Sequence, residues 1–213
     1  KDMLTTLCET REIPDIELFI NRRDFPILTK DGTEPYNNIW DGFVPLKSHL
    51  YKKYSPILSM SKTDKYADVL IPTHDDWARI SKDKNKWFSR KCSPKEVYMT
   101  DWNKKKDIAV FRGTSTGCGI DSSTNKRIKL AQISKNHPDF LDAGITKWNL
   151  RPRKLQNVKY LDYIKTEKTG VKLANFLSGS QQSEYKYIIH VEGHVAAFRL
   201  SEELAMGSVL LMV

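Results

Sequence analysis

Residues 185–213 read YKYIIHVEGHVAAFRLSEELAMGSVLLMV. The apolar run Tyr187–Val191 predicts a strand, and Glu192-Gly193-His194 predicts a tight turn. Val195–Ala205 predicts a helix that Gly207 stops, and Ser208–Val213 predicts a second strand. Two strands joined through a helix form a βαβ unit with parallel pairing. The first N–H groups of such a helix lack partners and point toward whatever lies above the sheet edge. Arg199, one turn inside the predicted helix, can clamp a diphosphate or pair with Glu202 or Glu203 on the helix surface. Spacing leaves both readings open.

A second loop of related character lies upstream. Asp107–Phe111 (DIAVF) predicts a buried strand, followed by Phe111-Arg112-Gly113-Thr114-Ser115-Thr116-Gly117-Cys118-Gly119. Glycines let backbone N–H groups approach an anion, and hydroxyls add donors; the same composition also makes an ordinary turn. The loop is neither a Walker loop nor a GxGxxG loop. Thr124–Lys135 predicts the next helix, with Thr124 as N-cap and Ile128 and Ala131 inward. Arg127 near its start can hold a phosphate.

Toward the N-terminus, Asp15–Asn21 (DIELFIN) alternates and predicts a strand with Ile16, Leu18 and Ile20 on one side. It delivers Asn21-Arg22-Arg23-Asp24 into a loop before Pro26. Asp24 can serve as a general base, its ionised form favoured by the two arginines, or it can cap or salt-bridge a turn. Ser55–Met60 and Ala67–Ile71 predict further short strands, Tyr36–Trp40 and Gly42–Pro45 turns, and 160–164 and 171–177 short elements. Residues 79–106, lysine-rich with Trp87 and Trp102, predict a connection between two halves.

The 213 residues, 39% hydrophobic and 29% charged, fit a globular α/β chain of one large or two small domains. No run of 18 apolar residues occurs. The absence of an initial methionine and the closing apolar strand read as a segment of a longer protein. Three widely spaced cysteines make no disulfide framework, though one bridge stays open. The net charge of +9 is uneven: −3 over residues 1–78, +9 over 79–129, +3 over 130–213. That excess is a solvated lysine surface, or a field for a sugar nucleotide, nucleic acid or acidic lipid. His190 and His194 sit on a strand and turn rather than one helix face, and no Asp-x-Asp occurs, so no metal site is expected.

FINRRDFP (19–26), PILSMSKTDKYADVLIP (56–72), VFRGTSTGCG (110–119), FLDAGITKWN (140–149) and residues 185–213 follow one another in an order that resembles glycosyltransferase family 90. This family comprises the CAP10-like enzymes, with protein O-glucosyltransferases and capsule xylosyltransferases among them. The resemblance spans Ile16–Val213. It implies a GT-B-like fold, two Rossmann-like halves with parallel sheets facing a cleft, the C-terminal half incomplete. Residues 1–103 would form the acceptor-side half and 104–213 the donor half.

The resemblance further implies metal-independent, inverting transfer of glucose or xylose from a UDP-sugar to a hydroxyl of a glycan or protein, without a cofactor. Asp24 falls on the family's catalytic aspartate. Thr114, Arg127 and the loop His194, Val195, Ala196, Ala197, Phe198 and Arg199 fall on donor-binding positions. Arg112, Gly113, Ser115 and Asp142 are secondary candidates. The loop TSTGCGIDSSTNKR is longer than in the protein O-glucosyltransferases, and their Trp-rich acceptor stretch is absent, so no acceptor residue carries over. A non-catalytic sugar-nucleotide-binding segment or pseudo-enzyme is the alternative; a nucleic-acid-binding protein ranks below both. The compartment stays open: endoplasmic reticulum lumen for eukaryotic members, cytoplasm for members of large DNA viruses or capsule pathways.

Overall fold

The computed structural model describes residues 2–30, 56–73, 76–77, 100–154 and 161–213. The turn-rich stretch 36–45 and most of the lysine-rich stretch, with Trp87, lie outside them. The chain divides into two compact units, Lys1–Pro94 and Lys95–Val213.

The first unit opens with helix α1 (Asp2–Thr10). Its sheet has three short parallel strands in the order β1 (Phe19–Ile20), β2 (Ile57–Ser59), β3 (Val69–Leu70). The expected strand over 15–21 shrinks to Phe19–Ile20, because only these residues pair with β2; Ile16 is 62% exposed. Alternation alone did not make a strand where no neighbour supplies hydrogen bonds.

The second unit is a mixed α/β layer. Strand β4 (Lys106–Thr114) runs through its middle, extending further both ways than DIAVF. Helix α2 (Lys126–Asn136) leads to β5 (Leu141–Lys147). A small antiparallel pair, β6 (Arg153–Lys154) and β7 (Leu161–Asp162), follows. A short helix, α3 (Gly179–Gln182), enters β8 (Tyr185–His190), and α4 (Leu200–Ala205) enters β9 (Val209–Met212). The sheet order is β5-β4-β8-β9, all parallel.

Burial explains this order. Val110, Phe111, Ile145 and Ile188 are at most 1% exposed, as expected for parallel strands covered on both faces. Phe111, Leu141, Ile145 and Ile189 pack with Ala131 of α2 on one face; Val110, Tyr185 and Ile188 pack with Met206, just after α4, on the other. Gly207, at φ +60°, ends α4 in the left-handed conformation that glycine adopts at least cost.

Two helix boundaries differ from the sequence reading. The N-cap of α2 is Asn125, not Thr124: its Oδ1 accepts from the Arg127 and Ile128 N–H groups. Thr124 instead binds back to Asp121 and the Ile120 N–H. The helix expected from Val195 begins at Leu200, with Arg199 at the N-cap position. Residues 195–198 stay outside the helix, because the Glu192 carboxylate takes the Ala197 N–H (2.6 Å) and Gly193 N–H binds the Val195 carbonyl (3.2 Å).

Candidate functional site

From β4 the chain passes through α2 to β5 on one side, and from β8 through α4 to β9 on the other. Consecutive connections leaving a parallel sheet in opposite directions open a crevice at the carboxyl ends of those two strands, where α/β sheets bind ligands. The loops that flank this crevice are Ser115–Asn125 and Val191–Arg199. Topology thus juxtaposes the two loops that the sequence singled out separately.

The first loop is gripped from within by three side chains. Asn125, 1% exposed, donates through Nδ2 to the Thr116 (3.2 Å) and Cys118 (2.9 Å) carbonyls. Arg153, 4% exposed, donates to the Gly119 carbonyl (2.9 Å), the Asn149 carbonyl (2.8 Å) and the Ser115 carbonyl. Arg127 ties this loop to the second one: it reaches the Thr114 carbonyl (3.0 Å), Thr116 Oγ1 (2.7 Å), the Glu192 carbonyl (3.1 Å) and the Val191 carbonyl (2.6 Å). Four such bonds occupy most of the N–H donors of a guanidinium. Two glycines make the close approach possible. A Cβ on Gly113 would lie 2.9 Å from the Phe111 ring, and one on Gly193 would lie 3.1 Å from Thr116 Oγ1.

Arg199 comes from the second loop. Its Nε lies 2.7 Å from Glu203 Oε1, its Nη1 donates to the Arg112 carbonyl, and its Nη2 has no partner among the described residues. Glu203 is 1% exposed and its other oxygen meets His190 Nδ1; His190 is equally buried. A carboxylate this deep must be paired, and here a ring nitrogen and a guanidinium share it. The pairing with Glu203 considered from the sequence forms, but in the interior rather than on the helix surface, and it orients Arg199 rather than consuming it.

Both guanidiniums lie against one ring: the Cζ atoms of Arg127 and Arg199 are 5.7 and 5.3 Å from the Phe111 centroid. Burial first, and the neighbouring Arg199 charge second, pull the Arg127 pKa down to about 10; Glu192 and Glu203 offset part of this. Two like charges at the mouth of a crevice make an anion a favourable occupant.

The remaining candidates sort clearly. Thr114 stands at the end of β4; its carbonyl is bound by Arg127, and its hydroxyl has no partner among the described residues. The buried Ser115 hydroxyl accepts from the Asn149 N–H. His194 Nε2 is 3.4 Å from Asn149 Nδ2. Arg112 and Asp142 pair with each other (2.7 Å), and Tyr185 Oη donates to the second Asp142 oxygen (2.8 Å). They join β4, β5 and β8 on the Val110 face, opposite Phe111. Among the described residues no three His, Cys, Asp or Glu side chains cluster to hold a metal ion.

Asp24 belongs to the first unit. Its loop is fixed by buried polar groups. Asn21 Nδ2 donates to the Phe25 carbonyl (2.6 Å) and Ser59 Oγ (3.0 Å), and Asn21 Oδ1 accepts from the Arg23 N–H (2.9 Å). Asp68, 0% exposed, accepts from the Ile27 and Leu28 N–H groups and from Ser59 Oγ. Pinned on both sides, the loop presents Asp24 to solvent, and its carboxylate makes no hydrogen bond or ion pair among the described residues. Among the described residues, neither the salt bridge nor the turn cap considered from the sequence forms.

Sequence reading missed Asn125 and Arg153, gave Thr116 no role apart from its loop, and weighed His190 and Glu203 without the buried pair they form. Asn125 carried a signal, an N-cap residue one position nearer the helix than Thr124. Arg153 carried none, since the loop carbonyls it holds lie 34 and 38 positions upstream.

Comparison with known proteins gives a consistent result. Residues 3–213 match the model of glycosyl transferase family 90. Protein 179R of Invertebrate iridescent virus 6 is 48% identical over 248 aligned positions, covering 100% of this chain and 21% of that protein. Protein 035R of Invertebrate iridescent virus 3 is 47% identical, covering 100% of this chain and 19% of that protein. The "O-glucosyltransferase rumi homolog" of Aedes aegypti is 27% identical, covering 88% and 39%. The chain thus spans about a fifth of the viral relatives' length.

Proposed function

The chain belongs to glycosyltransferase family 90, and we propose on that footing that it transfers a sugar from a UDP-sugar to an acceptor hydroxyl. Relatives named O-glucosyltransferase favour UDP-glucose as donor, with UDP-xylose, one hydroxymethyl smaller, the other choice. The acceptor is a hydroxyl of a protein or glycan. The GT-B-like pairing of two Rossmann-like halves is part of this proposal.

The observation that carries the reading is the pair Arg127 and Arg199 against Phe111 at the switch point of the parallel sheet. In the proposed reaction Asp24 takes the proton of the acceptor hydroxyl. The oxygen attacks the anomeric carbon on the face opposite UDP, the bond to the diphosphate breaks, and the configuration inverts. The negative charge that grows on the departing diphosphate is met by Arg199, whose Nη2 is uncommitted, by the field of Arg127, and by the 194–199 loop. Guanidinium groups then do the work a metal ion does in Asp-x-Asp enzymes. The expected helix end at Val195 has no part in this, since α4 starts at Leu200.

Asp24→Asn tests the assignment. Transfer of labelled sugar should fall about 100-fold or more, as for removal of a general base, while UDP binding stays within about twofold. An equal loss of both would remove Asp24 from the role of base.

A further inference from the structure

Two side chains, Asn125 and Arg153, hold the long loop after β4 by its carbonyls. Asn125 Nδ2 takes the Thr116 and Cys118 carbonyls, and Arg153 takes those of Ser115 and Gly119. In a trans peptide the C=O and the following N–H point in opposite directions, and no cis peptide occurs among the described residues. The N–H groups of Gly117 and Gly119 therefore point away from Asn125. The other N–H groups of the loop are accounted for: Ser115 bonds to the Lys147 carbonyl, Thr116 to the Thr114 carbonyl, and Ile120 to Thr124 Oγ1. Those of Gly117, Cys118 and Gly119 have no acceptor among the described residues, although both glycines are buried. Buried N–H groups in native proteins are almost always paired, with protein, water or ligand.

The backbone that turns these groups outward is one only glycine adopts here. Gly117 and Gly119 have φ of +104° and +83°, and a Cβ on Gly119 would lie 2.2 Å from the Thr124 carbonyl carbon. The row borders the second loop: a Cβ on Gly117 would sit 3.6 Å from the Gly193 carbonyl oxygen. The row thus lies beside the loop that carries Arg199. Arg153 has no carboxylate partner among the described residues, and its charge favours an anion on the donors the loop turns out.

We infer that Asn125 and Arg153 are positioning residues, holding the Gly117, Cys118 and Gly119 N–H groups as donors to the diphosphate of the sugar nucleotide. This rests on the donor reading above and extends it to the loop after β4. Asn125→Ser keeps an N-cap oxygen for α2 while removing the grip on both carbonyls. Arg153→Met removes the second grip.

The experiment is a titration of the ¹⁵N-labelled chain with UDP, with UMP and with pyrophosphate, following backbone amide shifts. UDP and pyrophosphate should move the Gly117, Cys118 and Gly119 amides, and UMP much less. Asn125→Ser should weaken UDP by about tenfold, the scale of one charged hydrogen bond, with UMP nearly unchanged. If UDP moves Val195–Arg199 and leaves 117–119 in place, the inference fails and the donor site stands. If the variants lose thermal stability but keep the UDP-to-UMP preference, the two residues are structural only. If UDP moves no amide, the donor reading fails and this inference with it.

Discussion

The two units solve the same problem with opposite charges. In the first, a buried carboxylate, Asp68, grips backbone N–H groups at Ile27 and Leu28. In the second, buried cations grip carbonyls: Arg127, Arg153, and Lys105, whose Nζ donates to the Met206 carbonyl (2.9 Å), Ser208 Oγ (3.0 Å) and the Ser183 carbonyl. The sign of the clamp decides what the loop can present. Carbonyls pulled inward by a cation turn N–H donors outward, which suits an anion. The loop held by the carboxylate clamp leaves the Asp24 carboxylate open to solvent. The contrast matches the division of labour proposed here, a base in one unit and a phosphate cradle in the other.

The contrast can be broken from either side. The largest effect belongs to Asp24→Asn, expected to stop transfer and spare the nucleotide. Asp68→Ala should follow, leaving two N–H groups and a hydroxyl without an acceptor at a cost of about 3 kcal/mol. Chemical denaturation should show the first unit losing stability while the amides of β4 and β8 keep their exchange protection. Loss of protection in both sheets would show that the clamps are not local. Lys105→Met should cost about 2 kcal/mol in the second unit, because three oxygens lose their donor. Burial already holds the Lys105 ammonium below its ordinary pKa, so the charge is retained at some cost.

The smallest effect is a pH dependence. Asp121 accepts from the side chains and N–H groups of Ser123 and Thr124, which lower its pKa. In the window between its folded and unfolded values the unfolded chain binds more protons, so this contribution is present above the usual carboxylate range and is lost on acidification. Amide exchange at Ser123 and Thr124 should quicken as pH falls below about 4 relative to the intrinsic rate, and Asp121→Asn should abolish that change. An unchanged profile in the variant would take Asp121 out of the loop's support.

Much of the second unit was legible because its signals are local. The apolar runs around Val110 and Ile188 are continuous, as buried parallel strands require, and Gly207 marks a helix end by its own conformation. The start of α4 was not legible. Val195, Ala196 and Ala197 read as helix, yet a carboxylate five residues away captures the Ala197 N–H and turns the chain. Asn125 and Arg153 escaped for the same reason: their importance lies in carbonyls of a folded loop, which no spacing records. In the first unit the alternation over 15–21 overstated a strand whose length is set by what β2 offers it. Asp24 could be named, but the loop that exposes it depends on Asn21 meeting Ser59, 38 positions on, and on Ile27 meeting Asp68, 41 positions on.

The central claim is that the second unit binds a nucleotide diphosphate through Arg199. Arg199→Ala and Arg112→Ala remove the same charge from opposite faces of the same strand, so calorimetric titration with UDP separates position from net charge. The account predicts that Arg199→Ala weakens UDP by about tenfold or more, while Arg112→Ala, which breaks the pair with Asp142 and the bonds to the Phe111, Asp142 and Asn175 carbonyls, changes it by about twofold at most. Equal effects of the two substitutions, or none from Arg199→Ala, would contradict it.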